Sequence, residues 1–230
     1  MSITGTLAKR LSNYESPTST GSKLRAKRIA PLLKMIATVA EEQGLVNLID
    51  VGGTEKYWDS ILRQHLDMHN ISITIVNLPG SPMPQDHGPF KFVGADGCNL
   101  AAFADKSFHI AHSNSVVEHV GDWSRMVQFA KELSRIAQKY FVQTPNYWFP
   151  VEPHFMTPFF HWLPKPVRLQ LVLNFQLGNW NKAASIDEAM RTVESARLLN
   201  KDMFQELFKD ADILTEKFYG LPKSFIAVKK

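Results

Sequence analysis

The chain has 230 residues, 44% of them hydrophobic, and 26 Lys and Arg against 22 Asp and Glu give a formal net charge of +4. That length suits one well-cored domain with an elaboration and is short for two. A single cysteine, Cys98, excludes an internal disulfide and any multi-cysteine metal site. No apolar run approaches the roughly 20 residues of a membrane helix, and no charged-then-apolar leader opens the chain, so a reducing, cytoplasmic setting is expected.

Residues 1–22 are polar, rich in Ser and Thr, and read as a flexible tail. Beyond them Leu24, Ile29, Leu32, Leu33, Ile36 and Val39 recur at helical spacing. Lys9, Arg10, Lys23, Arg25, Lys27, Arg28 and Lys34 face only Glu15 in this region. A solvated helix face fits that run, and so does a basic arm reaching phosphates or a peripheral membrane surface. No nucleic-acid module is signalled.

Val46 to Thr54 (VNLIDVGGT) is an apolar strand of the kind buried on both faces of a parallel sheet, running into Asp50, paired glycines and a helix-capping Thr54. Tyr57 or Trp58, Ile61, Leu62 and Leu66 then mark a helix. Gly52 and Gly53 let a ligand approach the backbone, and the free N–H groups of the helix start favour a polar or anionic group. A tight connection explains the same turn. Without later glycines at the G-x-G-x-x-G positions, the dinucleotide fingerprint fails.

Ile71–Leu78 is the second strand, ending at Pro79-Gly80; Phe90–Val93 is the third and Phe108–Ala111 the fourth, followed by the polar turn Ser113-Asn114-Ser115. Gly121-Asp122 opens a helix whose buried stripe is Trp123, Met126, Val127, Ala130, Leu133 and Ala137. Tyr140–Val142 is the fifth strand, stopped by Thr144-Pro145-Asn146. A helix over Val193–Phe208 precedes strands at Ile213–Tyr219 and Ser224–Val228, and the Gly220-Leu221-Pro222 link between them suits a hairpin. The fold class expected is α/β, a Rossmann-like doubly wound sheet of about seven strands with the last antiparallel.

Residues 147–192 interrupt the alternation and are too many for an ordinary connection. They are crowded with aromatic and aliphatic residues, among them Trp148, Phe149, Phe155, Phe159, Phe160, Trp162 and Trp180. As a helical cap inserted after strand five they would roof the crevice at the carboxyl ends of the strands; a homodimer interface, or a subdomain with its own small core, fits as well. Three parts are expected: a tail over 1–22, a ligand-binding domain over 23–146 and 193–230, and the insertion.

The motifs resemble those of class I S-adenosylmethionine-dependent methyltransferases of the small-molecule, type 11 kind, over roughly residues 45 to 145. Asp50-Val51-Gly52-Gly53 is similar to the family's first motif, Gly94–Leu100 (GADGCNL) to the loop after strand three, and Asp105–Val120 (DKSFHIAHSNSVVEHV) to the signature around strand four. The resemblance implies S-adenosylmethionine as cofactor, with Asp50, Gly52, Gly53 and Thr54 at the first turn and Asn77 and Leu78 after strand two. It further implies Asp96 and Gly97 near the adenine and Ser113 and Asn114 at the end of strand four. Thr54 replaces the second glycine of the usual G-x-G, Asn77 replaces a ribose-binding carboxylate, and His109 replaces a usually structural Asp.

A sulfonium methyl is already activated, so positioning supplies most of the rate, and an alcohol acceptor still needs its proton removed. His119 and His154 are the imidazoles nearest the expected crevice, neighboured in sequence by Glu118 and Glu152. His154 suits acceptor handling, or a capped turn between Pro153 and Pro158; the Glu-His pair at 118–119 recurs in the resembling family, which makes His119 structural or cofactor-proximal. A site drawn from Glu152, His154 and His161 follows no helical ligand spacing, so no metal is expected. The aromatic insertion favours an apolar or amphipathic acceptor such as a lipid, polyketide or quinone precursor. Tyr147, Asn174, Asn179 and Asn181 would instead face a sugar or glycolipid. The reading is a methyltransferase acting at oxygen on a small or lipid-like molecule; the alternative is a noncatalytic binding protein on the same fold with a degraded cofactor pocket.

Overall fold

The computed structural model describes residues 20–65, 71–178 and 180–230, with side chains described for all of these except 20–26, 60 and 62–65. Residues 1–19 of the expected tail, Leu66 and Asn179 lie outside the described residues, as does the side chain of Leu62. The chain begins with α1 (Thr20–Gln43), β1 (Val46–Val51), α2 (Glu55–His65), β2 (Ile71–Asn77), β3 (Phe90–Gly94) and β4 (Phe108–Asn114). A 3-10 turn (Val117–His119), α3 (Trp123–Ile136) and β5 (Ala137–Pro145) follow. The insertion holds β6 (Val151–Glu152), β7 (Thr157–Pro158), a second 3-10 turn (Phe160–Trp162) and α4 (Lys165–Asn174). The chain closes with α5 (Ile186–Val193), α6 (Lys201–Leu207), β8 (Asp212–Phe218) and β9 (Leu221–Lys229).

Seven strands form one sheet in the order β3-β2-β1-β4-β5-β9-β8. The first five in sequence are parallel, while β9 runs antiparallel to both β5 and β8. β1 and β2 are apolar throughout because helices cover both sides of the sheet. On one side α1 seats Ile29, Leu32, Met35, Ile36 and Val39, and α2 seats Trp58 and Ile61. On the other, α3 seats Met126, Phe129, Ala130, Leu133 and Ile136, beside Phe204 of α6 and Phe208. Strand order reverses between β1 and β4, so a crevice opens at their carboxyl ends. No helix among the described residues is long and apolar enough to cross a membrane. Lys27 and Lys34 lie on the exposed face of α1, whereas Arg28 turns inward to Glu216 at 3.6 Å.

Several sequence expectations change, the first being that β5 begins at Ala137, expected in the helical stripe, and runs through Thr144 and Pro145, expected to stop it. Asp122 caps α3 through the Arg125 N–H, which leaves Trp123 in the first turn 40% exposed rather than in the buried stripe. Ser113 and Asn114 belong to β4, not to the turn after it. The hairpin turns at Tyr219-Gly220, with φ of 49° and 82°; positive φ at both central residues gives the twist that two-residue hairpins need. The single helix expected over 193–208 is two. α5 ends at Glu194, Asn200 caps α6 by accepting from the Met203 N–H, and between them the chain lies against Tyr147 and Glu118. The Tyr147 N–H donates to Leu199 O and the Arg197 N–H to Glu118 O, bonds that outcompete one more helical turn.

Within residues 147–192, Phe155, Phe160, Val172, Ala183 and Ala189 form a separate cluster with Val193. Phe155 and Phe160 stack with ring centroids 4.1 Å apart. Gly178, at φ 56°, comes so close to Phe155 that a Cβ would stand 2.4 Å from its carbonyl oxygen.

Candidate active site

The turn after β1 is held from beneath. Asp50 is 1% exposed, and its carboxylate accepts from Trp58 Nε1 at 2.6 Å and pairs with His112 Nδ1 at 2.7 Å. A buried carboxylate needs such partners, each charge-assisted bond contributing about 1.5–3 kcal/mol. Gly53 lies on this carboxylate, where a Cβ would stand 1.7 Å from Asp50 Oδ2. Gly52 has φ 79°, and a Cβ there would meet Val116 Cγ2 at 2.4 Å. Thr54 caps α2, its hydroxyl oxygen 3.4 Å from the Tyr57 N–H. Asp50 therefore braces the glycine turn from inside instead of forming its ligand-facing surface.

The other strand ends arrive at the same edge. Asn77 Nδ2 donates to Gly53 O at 3.1 Å, joining the ends of β1 and β2, and the following Leu78 is 61% exposed. Asp96 receives Arg125 Nη2 at 2.9 and 2.7 Å on its two oxygens and the Cys98 N–H at 2.9 Å. These donors, together with the Arg125 charge, outweigh burial and lower its pKa. Gly97 passes between β1 and α3, where a Cβ would stand 2.8 Å from Val51 Cγ1 and 2.9 Å from Phe129. Ser113 is fully buried and its hydroxyl donates to Val51 O at 2.9 Å, so it ties β4 to β1 rather than facing the crevice. Asn114 Oδ1 is buried with no hydrogen-bond partner among the described residues. His109 is structural, accepting from the Asn47 N–H at 3.0 Å.

The two candidate imidazoles, 35 residues apart in sequence, meet with their Nε2 atoms 3.0 Å apart and their rings nearly perpendicular, at 86°. His119 rides on the 3-10 turn after β4, whose backbone closes by its own N–H donating to Val116 O. His154 follows β6 and is held by Glu152 Oε1 at 2.6 Å. Glu118 is 1% exposed, accepts from the Thr144 hydroxyl at 3.0 Å and has burial push its carboxyl up to about 7. Burial also lowers His119; at His154 it pulls the same way, but the Glu152 hydrogen bond and charge outweigh it and raise the imidazole. Glu118 beside His119 could be read from the sequence; Trp58, His112, Val116 and Arg125, which hold the site, could not, because each acts through a contact with another element of the fold.

A cleft of 410 Å³ adjoins this cluster, with Glu152 on one wall and Tyr147, Phe155, Phe160, Lys165, Arg168 and Arg197 among its other lining residues. Arg168 Nε and His161 Nδ1 are buried there without partners among the described residues. Glu194 also lines the cleft and pairs with Lys165 at 2.6 Å, so the walls are aromatic and carry charges of both signs, where the sequence led to an apolar or amphipathic acceptor surface.

No protein-family model matches the sequence, and no curated protein does. Among solved structures, a possible exported protein from Bordetella parapertussis is similar over 98% of this chain and 79% of its own, at 11% identity and TM-score 0.51. A candidate zinc-dependent alcohol dehydrogenase from Rhodobacter sphaeroides matches 91% of this chain and 98% of its own, at 8% identity and TM-score 0.51. An O-methyltransferase family protein from Burkholderia thailandensis, 11% identical at TM-score 0.48, covers 91% of this chain, which spans 57% of that protein's length. At such identities the likeness is one of fold. The sheet order, with its antiparallel strand between β5 and β8, is that of the class I S-adenosylmethionine-dependent methyltransferase fold.

Proposed function

We propose that the protein is an S-adenosylmethionine-dependent methyltransferase acting at an oxygen of a small amphipathic acceptor. The observation that carries this reading is the convergence of Gly52-Gly53-Thr54, Asn77, Asp96 and Asn114 at one edge of the sheet, where its strand order reverses. The residues fit the cofactor. Asn114 Oδ1 is an orphaned acceptor suited to an ammonium group, the side-chain carbonyl of Asn77 can accept from a ribose hydroxyl, and exposed Leu78 offers an apolar face to a base. Bound cofactor would supply the activated methyl; the chain's own part is to align the acceptor, exclude water and take up one proton.

Residues 147–192 act in this reading as the acceptor cap, and His119 and His154, where cap and sheet meet, hold the acceptor oxygen. Lys165 is paired with Glu194 at 2.6 Å, so the aromatic walls and the Arg168 and Arg197 guanidiniums of the cleft favour an acceptor with a flat or apolar body and an anionic group. Lipid-like molecules and sugars both qualify if they carry that charge. Val116 over Gly52 and Arg125 on Asp96 favour a second reading, a noncatalytic protein in which side chains fill the cofactor's place. Calorimetric titration with S-adenosylmethionine and S-adenosylhomocysteine, with NAD as control, decides between them. Binding of both sulfur nucleosides but not NAD supports the methyltransferase, and binding of neither removes it.

A further inference from the structure

Glu118, His119 and His154 each offer a ligand atom within 4.8 Å of the other two. Both imidazoles are already fixed through their other nitrogen: His119 Nδ1 lies 2.6 Å from the Ser195 carbonyl and His154 Nδ1 2.6 Å from Glu152. A carbonyl oxygen only accepts, so His119 carries a proton on Nδ1, and the Glu152 carboxylate draws one to the same place on His154. When both rings are neutral, each presents an Nε2 lone pair to the other across 3.0 Å. Two lone pairs that close repel unless a positive centre joins them. Glu118, whose Oε1 is buried and without a partner among the described residues, offers a carboxylate oxygen within 4.8 Å of both nitrogens.

Anchoring of Nδ1 by a carboxylate or backbone carbonyl is what metal-ligating histidines show. Two imidazoles and one carboxylate satisfy three positions of a tetrahedral ion and leave the fourth open. Two nitrogens on zinc, each about 2.0–2.1 Å from the ion, stand about 3.3–3.4 Å apart. Seating an ion here therefore asks the two imidazoles, one of them exposed, to part slightly and the Glu118 carboxylate, within 4.8 Å of them, to close on the ion.

We infer that Glu118, His119 and His154 bind a divalent transition-metal ion of the zinc kind, with Glu152, Ser195 and Thr144 orienting the ligands. The expectation of no metal is thereby revised. The trio considered from sequence fails because Glu152 spends one oxygen on His154 and the other on the Phe155 N–H, while His161 Nε2 is taken by Tyr147 O. The ion site stands whether or not the chain transfers methyl groups; only its use, making an acceptor hydroxyl at the open position more acidic, rests on the methyltransferase reading.

The test uses the full chain stripped by chelator and titrated with Zn²⁺ by calorimetry and with Co²⁺ by visible absorption, folding being followed by circular dichroism. One ion per chain with tetrahedral cobalt bands is expected. His119→Ala, at an exposed position, should weaken binding more than about 100-fold, and Glu152→Gln, which alters an orienting partner, by about 10–100-fold. His87→Ala, at an exposed histidine bonded to Glu55, should leave affinity unchanged. Absence of binding by the native chain, or equal binding by folded His119→Ala, overturns the site and leaves a shared proton to hold the imidazoles together. Because the readout is the metal alone, its failure is distinct from failure to bind S-adenosylmethionine.

Discussion

Replacing Gly52 by alanine tests the geometry of the turn on which cofactor binding depends. Gly52 sits at φ 79°, and an added Cβ would stand 2.4, 3.0 and 3.3 Å from Val116 Cγ2, Cγ1 and Cβ. The left-handed backbone costs an L-residue about 1–2 kcal/mol. Since all three atoms of the valine side chain crowd the new methyl, rotating it offers little relief, and forced overpacking adds about 1–3 kcal/mol. Gly52→Ala should therefore lose about 2–5 kcal/mol, which in a domain of this size lowers the melting temperature by about 4–20 °C. Urea unfolding of Gly52→Ala, Val116→Ala and the double variant separates the contributions. Truncating Val116 should return the steric share and leave the backbone share, a coupling of about 1–3 kcal/mol. Coupling below about 0.5 kcal/mol would show that Val116 does not pack over the turn, and the objection it raises to cofactor binding would go with it.

Trp58→Phe removes the Nε1–H donor to buried Asp50 and should cost at least about 1.5–3 kcal/mol; a denaturation midpoint equal to wild type would mean Asp50 is braced otherwise. Glu132, whose pKa is lowered by Arg135, accepts from the Leu100 N–H at 2.6 Å and so fastens the loop after β3. Its folded pKa lies below the ordinary 4.5, so its stabilisation is complete above that pH and lost as pH falls through the lower value. Urea midpoints measured downward from pH 7 should fall less steeply for Glu132→Gln, and parallel curves would contradict the pairing. Asp96→Ala should weaken S-adenosylmethionine binding at least about tenfold while the chain stays folded, as loss of one charge-assisted hydrogen bond requires; unchanged affinity in the calorimeter would exclude Asp96 from the pocket. Once an acceptor is found, His154→Ala should lower kcat with cofactor affinity intact, and equal turnover would take His154 out of the reaction.

Periodicity and turn chemistry alone carried the alternation of strands and helices, the glycine turn after β1, the antiparallel last strand and the oddness of residues 147–192. These are local properties: an apolar run, a glycine pair or a hairpin link means much the same wherever the chain later goes. The Val193–Phe208 helix was misjudged because its apolar spacing continues through a stretch whose backbone bonds go instead to Glu118 and Tyr147. Asp50 and Ser113 face inward for a related reason: Trp58 reaches Asp50 from the helix after the turn, and the His112–Asp50 and Ser113–Val51 contacts form only across the assembled sheet. Tertiary structure alone decided that Glu118, His119 and His154 converge. Nothing in the spacing of two adjacent residues and a third 35 positions on distinguishes ligands from solvated side chains; the fold supplies the burial, the fixed Nδ1 anchors and the 3.0 Å approach that give the cluster its chemistry.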